Sequence, residues 1–191
     1  MSPRKSDAKQ KLMDTTALLL QQQGYAATGL DQILQTSQAP KGSLYYYFPE
    51  GKEQLAADAL HQVGQRYSLL IAQTLQEHGL IGGFRAILTH FEHLLVSSNY
   101  TQGCPIASVA ATLQPEQTTL QEACHQVFQN WQEGIAGALR AHGLPEHLSP
   151  LLLSSLEGAL MLCRVHKSLE PLHTTSGALI ALLEAQHDQN R

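Results

Sequence analysis

The sequence predicts an all-α protein of about nine helices, and three observations carry that expectation. Apolar residues recur at intervals of three and four along most of the chain, the spacing that puts side chains on one face of a helix. No segment keeps the period-2 alternation of a half-buried strand. Glycine-containing hairpin signals between β-branched runs are also missing.

The elements follow in order. Leu12, Thr16, Leu19, Leu20 and Gln23 share one face of a first helix, and Gly24 is placed to end it as a C-cap. Thr28-Gly29-Leu30-Asp31 has the form of a capping box, with a threonine hydroxyl at the N-cap and a carboxylate three residues on. It opens a second helix from Leu30 to about Ser37. Pro40 suits the first turn of a third, very short helix, where its missing N–H has no partner in any case. Pro49 and Gly51 end that one. From Lys52, the positions Leu55, Ala56, Ala59, Val63, Tyr67, Leu70 and Thr74 mark a long amphipathic helix closed by Gly79. After Gly82 and Gly83, the series Phe84, Ile87, Leu88, Phe91, Leu94 and Leu95 marks another. Residues 99–105 read as a loop and 106–113 as a short helix. Pro115 starts the next, with Leu120, Cys124, Val127, Trp131, Ile135 and Leu139 on its core face and an end near Gly143. Ser149 and Pro150 open a helix to about Ser168, and Pro171 separates it from a last one over about 176–186. No internal repeat stands out.

The bulk properties narrow the function. A hydrophobic content of 43% is enough to fill a core and excludes a disordered chain. No apolar run approaches the roughly 18 residues needed to span a bilayer, and no secretory signal opens the chain. Cys104, Cys124 and Cys163 are too few and too scattered for a disulfide framework, so the expected setting is cytoplasmic, with no membrane partner. The net charge of −4 divides unevenly. Residues 1–52 carry six bases (Arg4, Lys5, Lys9, Lys11, Lys41, Lys52) against four acids, while residues 53–191 hold six bases against twelve acids. A basic end on an acidic body suits a protein whose polyanion contacts are confined to that end. No nucleophile elbow, phosphate loop, zinc-hydrolase motif or dinucleotide fingerprint is present, so an enzyme, a cofactor and a metal site are not expected.

The stretch 30–52 carries the function. Two short helices joined by about three residues have the form of a helix-turn-helix, whose second helix enters the major groove. Leu44 and Phe48, four apart, pin one side of the second helix to a core, and Lys41 and Tyr45 share another side. The outer face offers a cation, a glycine allowing close approach, a hydroxyl and three phenols. Lysine can hydrogen-bond guanine, serine and tyrosine hydroxyls can bond phosphate, and a tyrosine ring can pack on a thymine methyl. Three consecutive tyrosines cannot all face inward on one helix.

At these residues the chain resembles the TetR family of DNA-binding regulators. The resemblance rests on Gly24-Tyr25, Thr28, Asp31-Gln32-Ile33, Lys41-Gly42-Ser43-Leu44-Tyr45-Tyr46-Tyr47-Phe48 and Lys52-Glu53-Gln54-Leu55, and covers roughly residues 7–60. It implies base contacts near Lys41, Gly42 and Tyr45 and phosphate contacts near Ser43, Tyr47 and Lys52, with Thr28, Gln32 and Tyr46 on the same DNA-facing surface. Gln38 stands where the family usually has a turn glycine, and Pro40 where it often has a capping serine. The extra glycine in Pro49-Glu50-Gly51-Lys52 resembles the LmrA/YxaF-type branch of antibiotic- and flavonoid-responsive repressors.

The resemblance also implies a division into a DNA-binding domain over 1–52 and an effector-binding and dimerisation domain over 53–191. It implies a homodimer joined through the last two long helices, a palindromic operator in double-stranded DNA, and a small-molecule effector. Ser154, Ser155, Gly158 and Ala159 give the helix from Pro150 the small residues that close helix approach needs, and Gly158 is costly there unless something packs on it. Phe91, Phe128, Trp131 and Met161 are the expected bulky walls of an effector pocket, with Glu157 or Arg164 as its polar anchor; the alternatives for these two charges, seven apart on one face of an apolar helix, are an ion pair at the dimer interface or a solvent-facing edge. Cys104, in a loop that favours access, is the candidate for an alternative switch in which an electrophile or oxidant modifies a thiolate; the other reading of Cys104 is simple packing at a helix junction. A further alternative is a DNA-bound, partner-binding protein of the same fold that does not regulate transcription.

Overall fold

The computed structural model describes residues 3–189. They form eight α-helices, with no strand among the described residues: α1 (Pro3–Ala27), α2 (Leu30–Ser37), α3 (Lys41–Tyr47), α4 (Lys52–Ser97), α5 (Pro105–Ala110), α6 (Thr118–Ala141), α7 (Ser149–His166) and α8 (Glu170–Gln189). A single 3₁₀ turn, Glu146–Leu148, precedes α7. The side chains of Arg4 and Lys5, counted in the basic end, lie outside the described residues.

The expected ninth helix is the second limb of α4. Gly79 (φ 68°, ψ −172°) breaks the helical path, but the helix resumes at once, so Gly82 and Gly83 lie inside it. Gly83 lets the two limbs pack closely. A Cβ there would lie 2.9 Å from the backbone N and Cα of Leu75, well inside the optimal separation of about 3.5–4.0 Å for non-bonded carbons.

Other boundaries move for local reasons. The threonine capping box does not form: Gly29 is the N-cap of α2, without a side-chain bond. Thr28 is buried, and its hydroxyl donates to the Gly24 carbonyl at 2.7 Å. The break at Gly24 (φ 72°, ψ −177°) diverts the Thr28 N–H to the Tyr25 carbonyl, and the hydroxyl satisfies the acceptor left behind. Pro171 sits in the first turn of α8, where it costs no helical hydrogen bond, so α8 starts at Glu170. The stretch Glu146–His166 is, contrary to expectation, long and apolar enough to cross a bilayer by length and composition, with a mean hydropathy of 1.4 over an 18-residue window inside it. Its Leu152, Leu153, Ala159, Leu160 and Cys163 are buried in the fold, while Leu151, Met161, Leu162 and Val165 are exposed.

The helices fall into two compact units. One comprises the residues up to Gln65 together with Cys104–Val127. Its core joins Leu12 and Leu19 of α1, Ile33 of α2, Leu44 and Phe48 at α3, and Leu55 of α4, and α5 lies along α1. Lys52, the last residue of the expected DNA-facing domain, lies within this unit. The other comprises Arg66–Gly103 and the residues from Phe128 onward. Its core gathers Leu80, Leu139, Leu144, Leu148, Leu152, Leu179 and Leu183, and α7 packs against α8.

Candidate nucleic-acid interface and internal cavity

In the first unit, α2 and α3 are joined by residues 38–40. Gln38 closes α2 in the left-handed region (φ 54°, ψ 24°), the conformation a turn glycine would take without strain. For a residue with a Cβ this costs roughly 1–2 kcal/mol. The turn is braced by the Ala39 N–H, which donates to Ser37 Oγ at 3.3 Å, and by burial of Ala39 itself. Pro40 then serves as the N-cap of α3 rather than as a residue of its first turn.

The seven residues of α3 are too few to hold a helix alone. Leu44 and Phe48 hold it, both with no exposed surface, in the core shared with α1, α2 and α4. That fixes what points out. Lys41 and Gly42 are exposed, Tyr45 is 51% and Tyr46 67% exposed, and Ser43 and Tyr47 are half-buried. The Tyr46 and Tyr47 rings meet edge-on at 4.8 Å. A Cβ at Gly42 would meet no atom of this chain within 4 Å, so nothing inside the molecule uses the space that glycine leaves. Two aromatic rings, a cation and an open backbone therefore share one solvent-facing surface.

The remaining residues expected on that surface are buried or half-buried. Gln32 is half-buried, and its Oε1 accepts from Gln23 Nε2 at 2.8 Å. Thr28 is buried as described. Lys52 is half-buried, donates from Nζ to the Tyr25 carbonyl at 2.9 Å, and lies 3.9 Å over the Tyr25 ring. Desolvation lowers its pKa, and burial, followed by the charge of Glu53, raises that of Tyr25. This ion ties the first residue of α4 to the end of α1.

The second unit holds a partly open cavity of ≈ 80 Å³. Of the residues expected to line a pocket, the structure brings together Phe91, Trp131 and Glu157. Sequence reading missed Tyr67, which stacks parallel to Phe91 at 5.6 Å and meets Trp131 edge-on at 5.7 Å. Helical periodicity marked Tyr67 as core-facing, but period alone does not say which part of a core stays unfilled. Leu152, Leu153 and Leu156 of α7 close the other side.

Four expected residues do not line it. Phe128 packs edge-on against Trp131 at 5.8 Å, and Met161 is 62% exposed on the outer face of α7. Arg164 is half-buried with its aliphatic stem against Gly103, where a Cβ would approach its Cδ to 3.0 Å. Cys104 belongs to the first unit. It is only 4% exposed, because it caps α5: its sulfur accepts the Ala107 N–H at 3.5 Å. Accessibility inferred from a loop position therefore does not hold. Burial pushes the Cys124 thiol up to about 11, and it raises that of Cys163 as well.

Comparison with known proteins adds three findings. Residues 12–59 match the bacterial regulatory proteins of the tetR family, and residues 81–178 match the C-terminal domain of LmrA/YxaF-like transcriptional regulators. The HTH-type transcriptional regulator YxaF of Bacillus subtilis is 33% identical over 88% of this chain and 91% of its own length, and LmrA of the same organism is 32% identical over 93% and 97%. A crystal structure of a TetR regulatory protein from Rhodobacter sphaeroides superposes with a TM-score of 0.82 at 22% identity, covering 91% of this chain and 97% of that one.

Proposed function

The chain belongs to the TetR family of transcriptional regulators, and from that premise we propose that it is a repressor that binds a palindromic operator as a homodimer and is released by a small-molecule effector. The observation that carries the DNA-binding half is the division of α3, with Leu44 and Phe48 locked in the core while Lys41, Gly42, Tyr45 and Tyr46 face solvent. In this reading Lys41, Gly42 and Tyr45 address base edges, and Ser43 and Tyr47 address phosphates. Lys52 reaches a phosphate only by exchanging the Tyr25 carbonyl for it.

The dimer reading draws on α7. Leu151, Leu162 and Val165 (76% exposed) lie on its outward face, with Met161 beside them. Gly158 is on the same face, and a Cβ there would meet nothing within 4 Å in this chain. A helix-interior glycine costs about 1 kcal/mol against alanine, and a second copy packed closely against α7 would use the space it leaves. The effector reading draws on the cavity at Phe91, Trp131 and Tyr67. A ligand there releases DNA only by binding the DNA-free conformation more tightly. Residues 1–52 would then serve DNA and residues 53–191 the effector and the dimer.

Selection of bound sequences from a random duplex pool tests the proposal. The expected product is a palindrome whose half-sites lie about 34–36 Å apart, one turn of DNA. Recovery of no consensus, or of a single unrepeated half-site, would overturn it.

A further inference from the structure

We infer that Gln23 is a positioning residue for DNA contact: it fixes the amide of Gln32 so that the nitrogen, not the oxygen, is left to meet a phosphate. The inference rests on the DNA-binding reading of α2 and α3. Gln23 Nε2 lies 2.9 Å from the Ala27 carbonyl, 2.8 Å from Gln32 Oε1 and 3.4 Å from Thr28 Oγ1. A carbonyl can only accept. The Thr28 hydroxyl gives its hydrogen to the Gly24 carbonyl, so toward Gln23 it accepts as well. The Gln23 atom between these groups is therefore the nitrogen, and its two hydrogens serve Ala27 and Gln32. The Gln32 atom that meets it must then be the oxygen. Gln32 Nε2 is left over, with no partner among the described residues. Buried side-chain atoms without a partner are confined, among those residues, to Thr16 and Gln62, so this nitrogen is open to solvent.

The choice of end decides what Gln32 can bind. Phosphate oxygens have lone pairs and no hydrogen, so they take an amide nitrogen and repel an amide oxygen. A glutamine held by nothing presents either end and loses that freedom on binding. Gln32 lies in the first helix of the helix-turn-helix, the one that crosses the sugar-phosphate backbone when the second lies in the major groove. Glutamine side chains are among the groups that donate to phosphate there. Gln23 is exposed, yet it spends both hydrogens inside the chain, and its remaining oxygen cannot bond a phosphate. It acts through Gln32.

The test titrates the full-length chain, Gln23→Met, Gln32→Met and the double variant with the operator recovered by selection and with single-base variants of it. Methionine keeps the length of glutamine and removes its amide. Gln32→Met should weaken binding to all these duplexes by one common factor, about tenfold. The slope of log affinity against log salt should stay as in the parent, because a neutral amide displaces no counterion. Gln23→Met should weaken binding about threefold or more in the parent and less than about twofold in the Gln32→Met background. Equal losses in both backgrounds overturn the positioning role. A Gln32→Met loss confined to one base pair overturns the phosphate assignment, and parent-strength binding by Gln32→Met overturns the contact, with the DNA-binding reading left standing. Recovery of no operator overturns that reading, and this inference falls with it.

Discussion

At Tyr45 and Lys52 the same expectation, contact with DNA, meets two different environments. Tyr45 is 51% exposed, so Tyr45→Ala should leave thermal stability unchanged and relax sequence preference, as read by affinities for the selected operator and single-base variants of it. Lys52 already has a partner. Lys52→Ala leaves the Tyr25 carbonyl without its charged donor, so the melting temperature should fall; if the lysine also reaches a phosphate in the complex, the slope of log affinity against log salt should fall by about one unit. A lower melting temperature with an unchanged slope would assign Lys52 to holding α4 against α1 alone. Cys104 carries the third prediction at this scale. Its sulfur accepts the Ala107 N–H, a role a serine oxygen fills better. Cys104→Ser should stay within about 1 kcal/mol of the parent in denaturant unfolding and retain its effector response. Loss of that response, with operator affinity intact, would transfer the switch to the thiol.

Helices and turns were legible wherever a local rule acts alone. The extents of α2 and α3 follow from apolar spacing with proline and glycine punctuation, and the structure differs only in making Pro40 the N-cap of α3. The capping box failed because the break at Gly24 freed a carbonyl that the Thr28 hydroxyl bonds instead, a competition no four-residue motif encodes. The glycine pair 82–83 misled in the opposite direction. Two adjacent glycines usually mark a linker, but here Gly83 permits a backbone approach inside a helix. Gly83→Ala should therefore destabilise the protein by about 1–3 kcal/mol, since neither the Leu75 N nor its Cα can give way cheaply. Gly134→Ala, in α6 with nothing within 4 Å of its would-be Cβ, should be neutral or stabilising by up to about 1 kcal/mol. Denaturant unfolding of both variants checks the contrast. Equal effects would mean that the close approach of the α4 limbs does not matter.

For the molecule as a whole, assembly is the property most open to test. Gly158→Leu places a large side chain where this chain has open space, so the single chain should fold as before while close packing of a second copy on α7 is blocked. Sedimentation should show a dimer for the parent and a monomer for the variant, with palindromic operator binding weakened steeply. A variant that remains dimeric would remove α7 from the interface. The sequence by itself determined the all-helical class, the helix-turn-helix and the residues that α3 turns outward. Each depends on spacing within a few turns of one helix, and burial of Leu44 and Phe48 dictates the opposite face. Only the tertiary structure decided that Tyr67 joins Phe91 and Trp131 around a void, that Met161 faces out, that Cys104 is buried and that Lys52 is tied to Tyr25. Periodicity says which side of a helix is apolar. Whether that side meets a neighbour, a cavity or a second chain depends on groups tens of residues away, and those meet only when the helices pack.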